Sequence, residues 1–223
     1  MDQMEDKLKE KIVEVSRRLY QRGLVAGAGG NVSARIPDSQ HILVTPSGVC
    51  KGYLKPSNIV KVDLNGKIIK GRLKPTSETP MHTEIYKIRH DVNAVVHAHP
   101  PFCTGFACAR IPFNTHIFPE VIAMIGEVPM VEYVTPGTKE LALKVAEAAE
   151  KHDALLLANH GAITLGASLE QAYQRMEVLE DFAKILLVSI LLGGPKSLSN
   201  EDVRKIRGLD IEKYRLEYIK HAE

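Results

Sequence analysis

The sequence predicts an α/β fold, a sheet with antiparallel content and helices packed over it. Short apolar runs and amphipathic stretches are mixed along the chain without the strict strand–helix–strand rhythm of a parallel sheet. The Asn65-Gly66 pair between two short apolar segments is the local signature of an antiparallel hairpin. No repeat, low-complexity linker or internal boundary divides the 223 residues, so residues 1–223 read as a single domain.

Residues 4–23 read as an amphipathic helix, because Leu8, Ile12, Val15 and Leu19 recur at helical spacing with charges between them. A small-residue loop, GLVAGAGGNVSAR, follows at 23–35. His41–Thr45 is a short strand stopped by Pro46-Ser47-Gly48, and Asn58–Val62 and Lys67–Ile69 form the hairpin around Asn65-Gly66. Thr79–Arg89 is a helix. Asn93–His99 is β-branched and apolar on both faces, the mark of a central strand, and Pro100-Pro101 ends it. Further on come a helix at Pro119–Ile125, a strand at Met130–Val134 and a helix at Lys139–Lys151. A buried strand at Ala154–Ala158 leads into Asn159-His160-Gly161. The long helix Leu169–Leu192 is ended by Gly193-Gly194-Pro195. Residues 196–223 form a tail that reads as a lid or a surface helix.

Composition excludes several classes. Hydrophobic residues make up 44% of the chain and charged residues 25%, ordinary for a globular core. A net charge of +2 without a basic block argues against nucleic acid as the main partner. The N-terminus is charged and lacks the apolar core of a signal peptide, and Ile185–Leu192 is too short to span a bilayer. These features predict a cytoplasmic protein that does not associate with membranes. The three cysteines, Cys50, Cys103 and Cys108, lack zinc-finger spacing and read as reduced thiols.

The chemistry lies in the histidines. VVHAHP places His97 and His99 two apart on a predicted strand, so both side chains point to one face and can reach one ion. His160 follows a second buried strand. A lone histidine is more often a satisfied core residue, but His-x-His at a strand end with a third histidine is a metal-ligand pattern. Three neutral imidazoles leave a position open, as in catalytic rather than structural zinc sites. Imidazole also suits iron, nickel, copper and cobalt. His82 is ambiguous, and His116 sits in a loop within possible reach of a site.

Glu78, in KPTSETPMH, is placed to serve as a general base beside a metal, or simply as a first-turn acid of the helix that follows. GAGGNVSAR is neither a dinucleotide fingerprint nor a Walker loop. With TPSG at 45–48 and TSE at 76–78 it offers amides and hydroxyls for a neutral phosphate cradle.

Taken in order, GNVSAR, TPSG, KPTSE, HAHP and NHG resemble the class II aldolase/adducin family, specifically its L-fuculose-1-phosphate aldolase branch, over residues 8 to 195. The resemblance implies a central, largely antiparallel sheet flanked by helices, and a cyclic homotetramer with active sites at subunit interfaces. By position, His97, His99 and His160 match three Zn2+ ligands, with one ion per subunit. Glu78 matches the acid that approaches the metal in the empty site and transfers the proton. Asn31, Ser47, Gly48, Thr76 and Ser77 match the substrate-phosphate positions. The implied reaction is reversible cleavage of a ketose 1-phosphate to dihydroxyacetone phosphate and a small aldehyde such as lactaldehyde.

Two departures fall on the aldehyde side. Pro136 replaces an aromatic residue before Gly137-Thr138, and His116 and Phe118 stand where the family has a tyrosine. Tyr214 or Tyr218 would supply the tail tyrosine. Sugar-phosphate 4-epimerases of this fold generally carry aspartate at the position of Glu78. Methylthioribulose-1-phosphate dehydratases and oxo-tetronate-phosphate decarboxylases keep a similar metal site. A non-catalytic adducin-type module typically lacks the histidines that are all present here, and a barrel metallohydrolase would need a longer chain.

Overall fold

The computed structural model describes residues 2–209. The tail tyrosine candidates, Tyr214 and Tyr218, lie outside these residues. Eight strands form one sheet: β1 (Asn31–Arg35), β2 (His41–Val44), β3 (Val60–Asp63), β4 (Ile68–Lys70), β5 (Ala94–Ala98), β6 (Met130–Val131), β7 (Ala154–Leu157) and β8 (Gly161–Gly166). Their order is β4-β3-β2-β1-β5-β8-β7-β6. Each neighbouring pair is antiparallel except β6 and β7, which are parallel. Among the described residues seven α-helices accompany it: α1 (Asp2–Gln21), α2 (Thr79–Ile88), α3 (Pro101–Ala109), α4 (Pro119–Met124), α5 (Lys139–Ala149), α6 (Leu169–Leu191) and α7 (Asn200–Arg207).

The period-two alternation of the central strands divides the core in two. Ala94, Val96 and Ala98 of β5 join Val32, Leu156 and Ala162 against Leu19 of α1, Phe106 of α3 and Met176 and Phe182 of α6. Val95 joins Ile42, Leu155 and Ile163 against Met81 and Ile85 of α2 and Leu141 and Val145 of α5. Both faces of the sheet are covered, which is why the central strands are apolar on both sides. Helix starts follow local chemistry. Thr138 caps α5 by accepting from the Leu141 amide, and Ser168 caps α6 by accepting from that of Gln171. No helix among the described residues is long and apolar enough to cross a membrane.

The structure changes three sequence expectations. Residues 31–35 belong not to a loop but to β1, at the centre of the sheet between β2 and β5. Small and polar residues weaken their local strand signal, and pairing on both edges overrides it. Pro101 does not merely end a strand but opens α3, where the missing amide hydrogen costs nothing. The strand expected at Met130–Val134 shortens to Met130–Val131.

Candidate metal and phosphate site

The site forms at one end of the three central strands. Asn31 on β1 faces His97 on β5, and His97 faces Ile163 on β8. His99 follows two residues after His97, on the same face. His160 is delivered by the short turn between β7 and β8, where Asn159 adopts a left-handed conformation (φ 55°) and accepts hydrogen bonds from Arg110 Nε and Nη2. Asparagine tolerates that conformation better than most residues. Gly161 is required by close approach, because a Cβ there would lie 2.4 Å from the Ala98 carbonyl oxygen and 2.8 Å from His99 Cδ2. Gly30 is required for two reasons, its φ of +67° and a hypothetical Cβ 2.7 Å from the His97 carbonyl oxygen.

The three predicted ligands converge. One nitrogen from each of His97, His99 and His160 lies within 4.8 Å of the others. His97 Nε2 and His99 Nε2 are 3.1 Å apart. Two nitrogens on one tetrahedral zinc stand roughly 3.3 Å apart, so this spacing suits a shared ion. The Glu78 carboxylate straddles the cluster, with Oε2 at 3.3 Å from His97 Nε2 and Oε1 at 3.2 Å from His160 Nε2.

Protonation states argue for a cation at this point. His97 Nδ1 donates to the Ala162 carbonyl at 2.9 Å, which leaves the Nε2 lone pair facing the cluster. Burial pushes the His97 pKa down to about 3 despite the nearby carboxylate. Burial, and then the neighbouring His160, lowers that of His99. Burial also opposes the charge on Glu78, but His97, His160 and the Asn31 amide outweigh it and hold its carboxyl below the usual carboxylate range. A neutral imidazole thus presents its lone pair to a carboxylate oxygen. Buried Glu78 Oε1 and His160 Nδ1 have no hydrogen-bond partner. Such an arrangement is costly unless a cation sits among the donors. Three imidazoles and one carboxylate fit a divalent metal of the zinc type.

The small-residue loops meet beside this cluster. Ser47 donates its amide to Lys74 O at 2.9 Å and Thr76 its amide to Thr45 O at 3.1 Å, so TPSG and the KPTSE segment run edge to edge. Gly48 turns with φ +73°. Ser47, Gly48 and Ser77 are exposed, while Thr76 and Asn31 are buried. Asn31 Nδ2 donates to Thr76 Oγ1 at 3.2 Å and to Glu78 Oε2 at 2.8 Å, joining the phosphate-type loop to the metal cluster. Gly137 lies against Ser77, where a Cβ would be 3.5 Å from the Ser77 carbonyl oxygen, so the segment of the first family departure borders the cradle.

Two buried groups went unassigned in the sequence. Lys51 donates from Nζ to Ala28 O at 2.9 Å and Val49 O at 3.2 Å, tying the glycine-rich loop to the loop after TPSG. Burial lowers its pKa to about 8. His82 is fully buried and hydrogen-bonded to Ser33 and Asn31. Its signal was its place four residues after Glu78, one turn into α2 from that N-cap residue. Nothing in the local sequence marks Lys51, since both its partners are backbone carbonyls and one of them, Ala28, lies in another segment.

Three histidines and one carboxylate thus gather at one end of a largely antiparallel sheet with helices on both faces. Residues 10–187 match the class II aldolase and adducin N-terminal domain family, and the chain belongs to that family. It is similar to an L-fuculose phosphate aldolase of Methanococcus maripaludis, 41% identical over 175 residues covering 78% of this chain and 93% of that protein. It is also similar to a 3-oxo-tetronate 4-phosphate decarboxylase of Escherichia coli, 35% identical over 83% of this chain and 88% of that one. Among solved structures, an L-fuculose 1-phosphate aldolase superposes with a TM-score of 0.84 at 35% identity, covering 94% of this chain and 96% of the other. The L-fuculose-1-phosphate aldolase of Thermus thermophilus superposes with a TM-score of 0.76 at 33% identity, over 86% of this chain and 98% of that one.

Proposed function

We propose that this protein is a zinc-dependent class II aldolase that reversibly cleaves a ketose 1-phosphate, such as L-fuculose 1-phosphate, to dihydroxyacetone phosphate and a small aldehyde such as lactaldehyde. The observation that carries the reading is the convergence of His97, His99, His160 and Glu78 beside the hydroxyl- and amide-bearing loops. His97, His99 and His160 would hold a divalent cation, which would supply Lewis-acid stabilisation of negative charge on the substrate oxygens when the C3–C4 bond breaks. Ser47, Gly48, Thr76 and Ser77 bind the phosphate. Asn31 joins them by exchanging its Thr76 contact for a phosphate oxygen. Glu78 then delivers a proton to C3 of the three-carbon fragment, or removes it in the condensation direction. The electron pair of the broken bond stays on that fragment, C4 becomes the aldehyde carbon as its hydroxyl gives up a proton to water, and Glu78 takes one from water for C3, so the proton count is conserved. No Schiff base is needed.

Two findings support a homotetramer in the cytoplasm as the working form. The relatives are metabolic enzymes by name, and Leu187, Val188, Ile190, Leu191 and Leu192 at the end of α6 are exposed, a patch suited to burial by a second copy.

The test is release of dihydroxyacetone phosphate from L-fuculose 1-phosphate by metal-replete enzyme, with a chelator-treated control. Chelator-sensitive release is expected. Glu78→Gln should retain the metal and lose about 10²–10⁴-fold in turnover. Full turnover by that variant would remove Glu78 from the chemistry. The second reading is decarboxylation of a 3-oxo-tetronate 4-phosphate, favoured by the 35% identity to the Escherichia coli decarboxylase and by the departures at Pro136, His116 and Phe118. Carbon dioxide release from that substrate, with no cleavage of ketose 1-phosphates by enzyme holding one metal per chain, would select it.

A further inference from the structure

A continuous buried hydrogen-bond chain leads away from Glu78. Asn31 Nδ2 donates to Glu78 Oε2 at 2.8 Å, and Asn31 Oδ1 meets His82 Nε2. His82 Nδ1 meets Ser33 Oγ at 2.7 Å, and Ser33 Oγ meets the Tyr86 hydroxyl at 2.9 Å. His82, Ser33 and Tyr86 are completely buried, and Asn31 is 3% exposed. The interlock is a match of periods. Glu78, at the N-cap of α2, and His82 and Tyr86 on α2 recur every fourth residue, about 6 Å apart along the helix axis. Asn31, Ser33 and Arg35 recur every second residue along β1, rising roughly 6.8 Å. Arg35 extends the series, its guanidinium 4.9 Å from the Tyr86 ring centroid.

One charge sets the direction of the whole chain. The Glu78 carboxylate accepts only, so the Asn31 amide must turn its N–H group towards it. Asn31 Oδ1 then points at His82 and needs a donor, so His82 carries its proton on Nε2. His82 Nδ1 must accept, which takes the single hydroxyl hydrogen of Ser33. Ser33 can then only accept from Tyr86. Burial, which lowers the His82 pKa to about 4, keeps the ring in the neutral form this pattern requires. The opposite orientation of Asn31 would set its carbonyl against the carboxylate.

We infer that His82 is a positioning residue. Through Asn31 it fixes the Glu78 carboxylate by Oε2 and so sets the orientation of Oε1, which faces His160 Nε2 at 3.2 Å, with Ser33 and Tyr86 locking the tautomer from behind. An asparagine side chain held by one partner can rotate, whereas one held at both its oxygen and its nitrogen cannot without breaking both bonds. The inference rests on Glu78 as the proton-transfer group.

The experiment compares metal-replete wild type with His82→Leu, His82→Gln and Asn31→Ala. Loss of the Nε2–H donor in His82→Leu should lower kcat by about tenfold to a hundredfold, with KM within about twofold and metal content unchanged. Glutamine places an amide N–H near the position of Nε2 and should restore most of kcat. In the Asn31→Ala background, His82→Leu should have no further effect on kcat, because His82 acts only through Asn31. The 15N spectrum of the wild-type holoenzyme provides a readout independent of turnover and of variant folding, and it should show His82 protonated on Nε2 alone. Protonation on Nδ1 overturns the inference. So does a His82→Leu enzyme with wild-type kcat while Glu78→Gln is inactive, or a His82→Leu loss that persists in full without Asn31. If Glu78→Gln is as active as wild type, the proton-transfer reading falls and the role of His82 falls with it.

Discussion

Gly161→Ala tests whether the metal cluster depends on the close seam between β5 and β8. A methyl carbon at position 161 would lie 2.4 Å from the Ala98 carbonyl oxygen and 2.8 Å from His99 Cδ2. Ordinary contact needs about 3.5 Å, so the strand end and the imidazole must yield by roughly 1 Å. The backbone part of that clash cannot be relieved by a rotamer change, because Ala98 is already paired with Ala162. Overpacking of this kind costs about 1–3 kcal/mol. Displacement of the His99 ring exceeds the roughly 0.2 Å tolerance of a ligand bond, so metal affinity should fall by about ten- to a hundredfold. Urea unfolding of chelator-treated protein measures the first quantity, and competition with a chromophoric chelator measures the second. Gly105→Ala is the control, since nothing lies within 4 Å of its hypothetical Cβ on α3. It should be neutral or stabilising by up to about 1 kcal/mol. A Gly161→Ala protein that is destabilised but binds metal as wild type does would refute the coupling of this seam to His99. Unchanged stability would refute the steric argument altogether.

Three further outcomes follow from the same geometry. Chelation should lower the thermal midpoint of wild type and leave that of His160→Ala nearly unmoved, since saturating metal at about 100 times its Kd stabilises by about 2.7 kcal/mol; equal shifts in both proteins would remove His160 from the ligand set. Lys51 titrates near 8 in the fold against 10.5 for its ordinary value, so the unfolded chain binds the extra proton between those pH values and stability rises with pH across that window. The unfolding free energy of wild type minus that of Lys51→Met should therefore grow by up to about 3 kcal/mol from pH 8 to 10.5, and a flat difference would show that burial does not depress this lysine. Glu180 is buried and accepts from the Phe102 and Cys103 amides at 3.1 and 2.9 Å, so Glu180→Leu, which strands two amides at the start of α3, should cost about 2–4 kcal/mol by urea unfolding.

Much of the site could be read from the sequence because its ligands obey short-range rules. His97 and His99 share a face by strand alternation, and VVHAHP is apolar enough to announce a central strand. The positions of Asn31, Ser47, Thr76 and Glu78 could be listed from the ordered motifs, but not their meeting. That depends on the register Asn31↔His97 and on the bridge between Pro46 and Pro75, which join segments far apart in the chain. β1 itself reads as loop in the sequence because asparagine and serine, preceded by a run of glycines, carry weak strand propensity. The same small residues are needed there: Gly30 to pass the His97 carbonyl, and Asn31 and Ser33 to receive α2. Residues whose role opposes their local propensity are those a sequence conceals, and such conflicts gather at functional sites.

The way the donors are held implies that folding and metal binding should be coupled in this protein. His97 is fixed from behind by the Ala162 carbonyl, so its ring cannot turn its lone pair away freely. Glu78 is held by Asn31, which is itself held by His82. The donors are thus preorganised, and their mutual repulsion is borne by the sheet rather than relieved by side-chain motion. A loose site would lose little without metal and gain little from it. A rigid one is least stable empty, binds its ion with small reorganisation, and holds the Glu78 carboxylate at a fixed distance from whatever the ion orients. The rigidity that makes the empty site costly is therefore the same property that places the proton-transfer group.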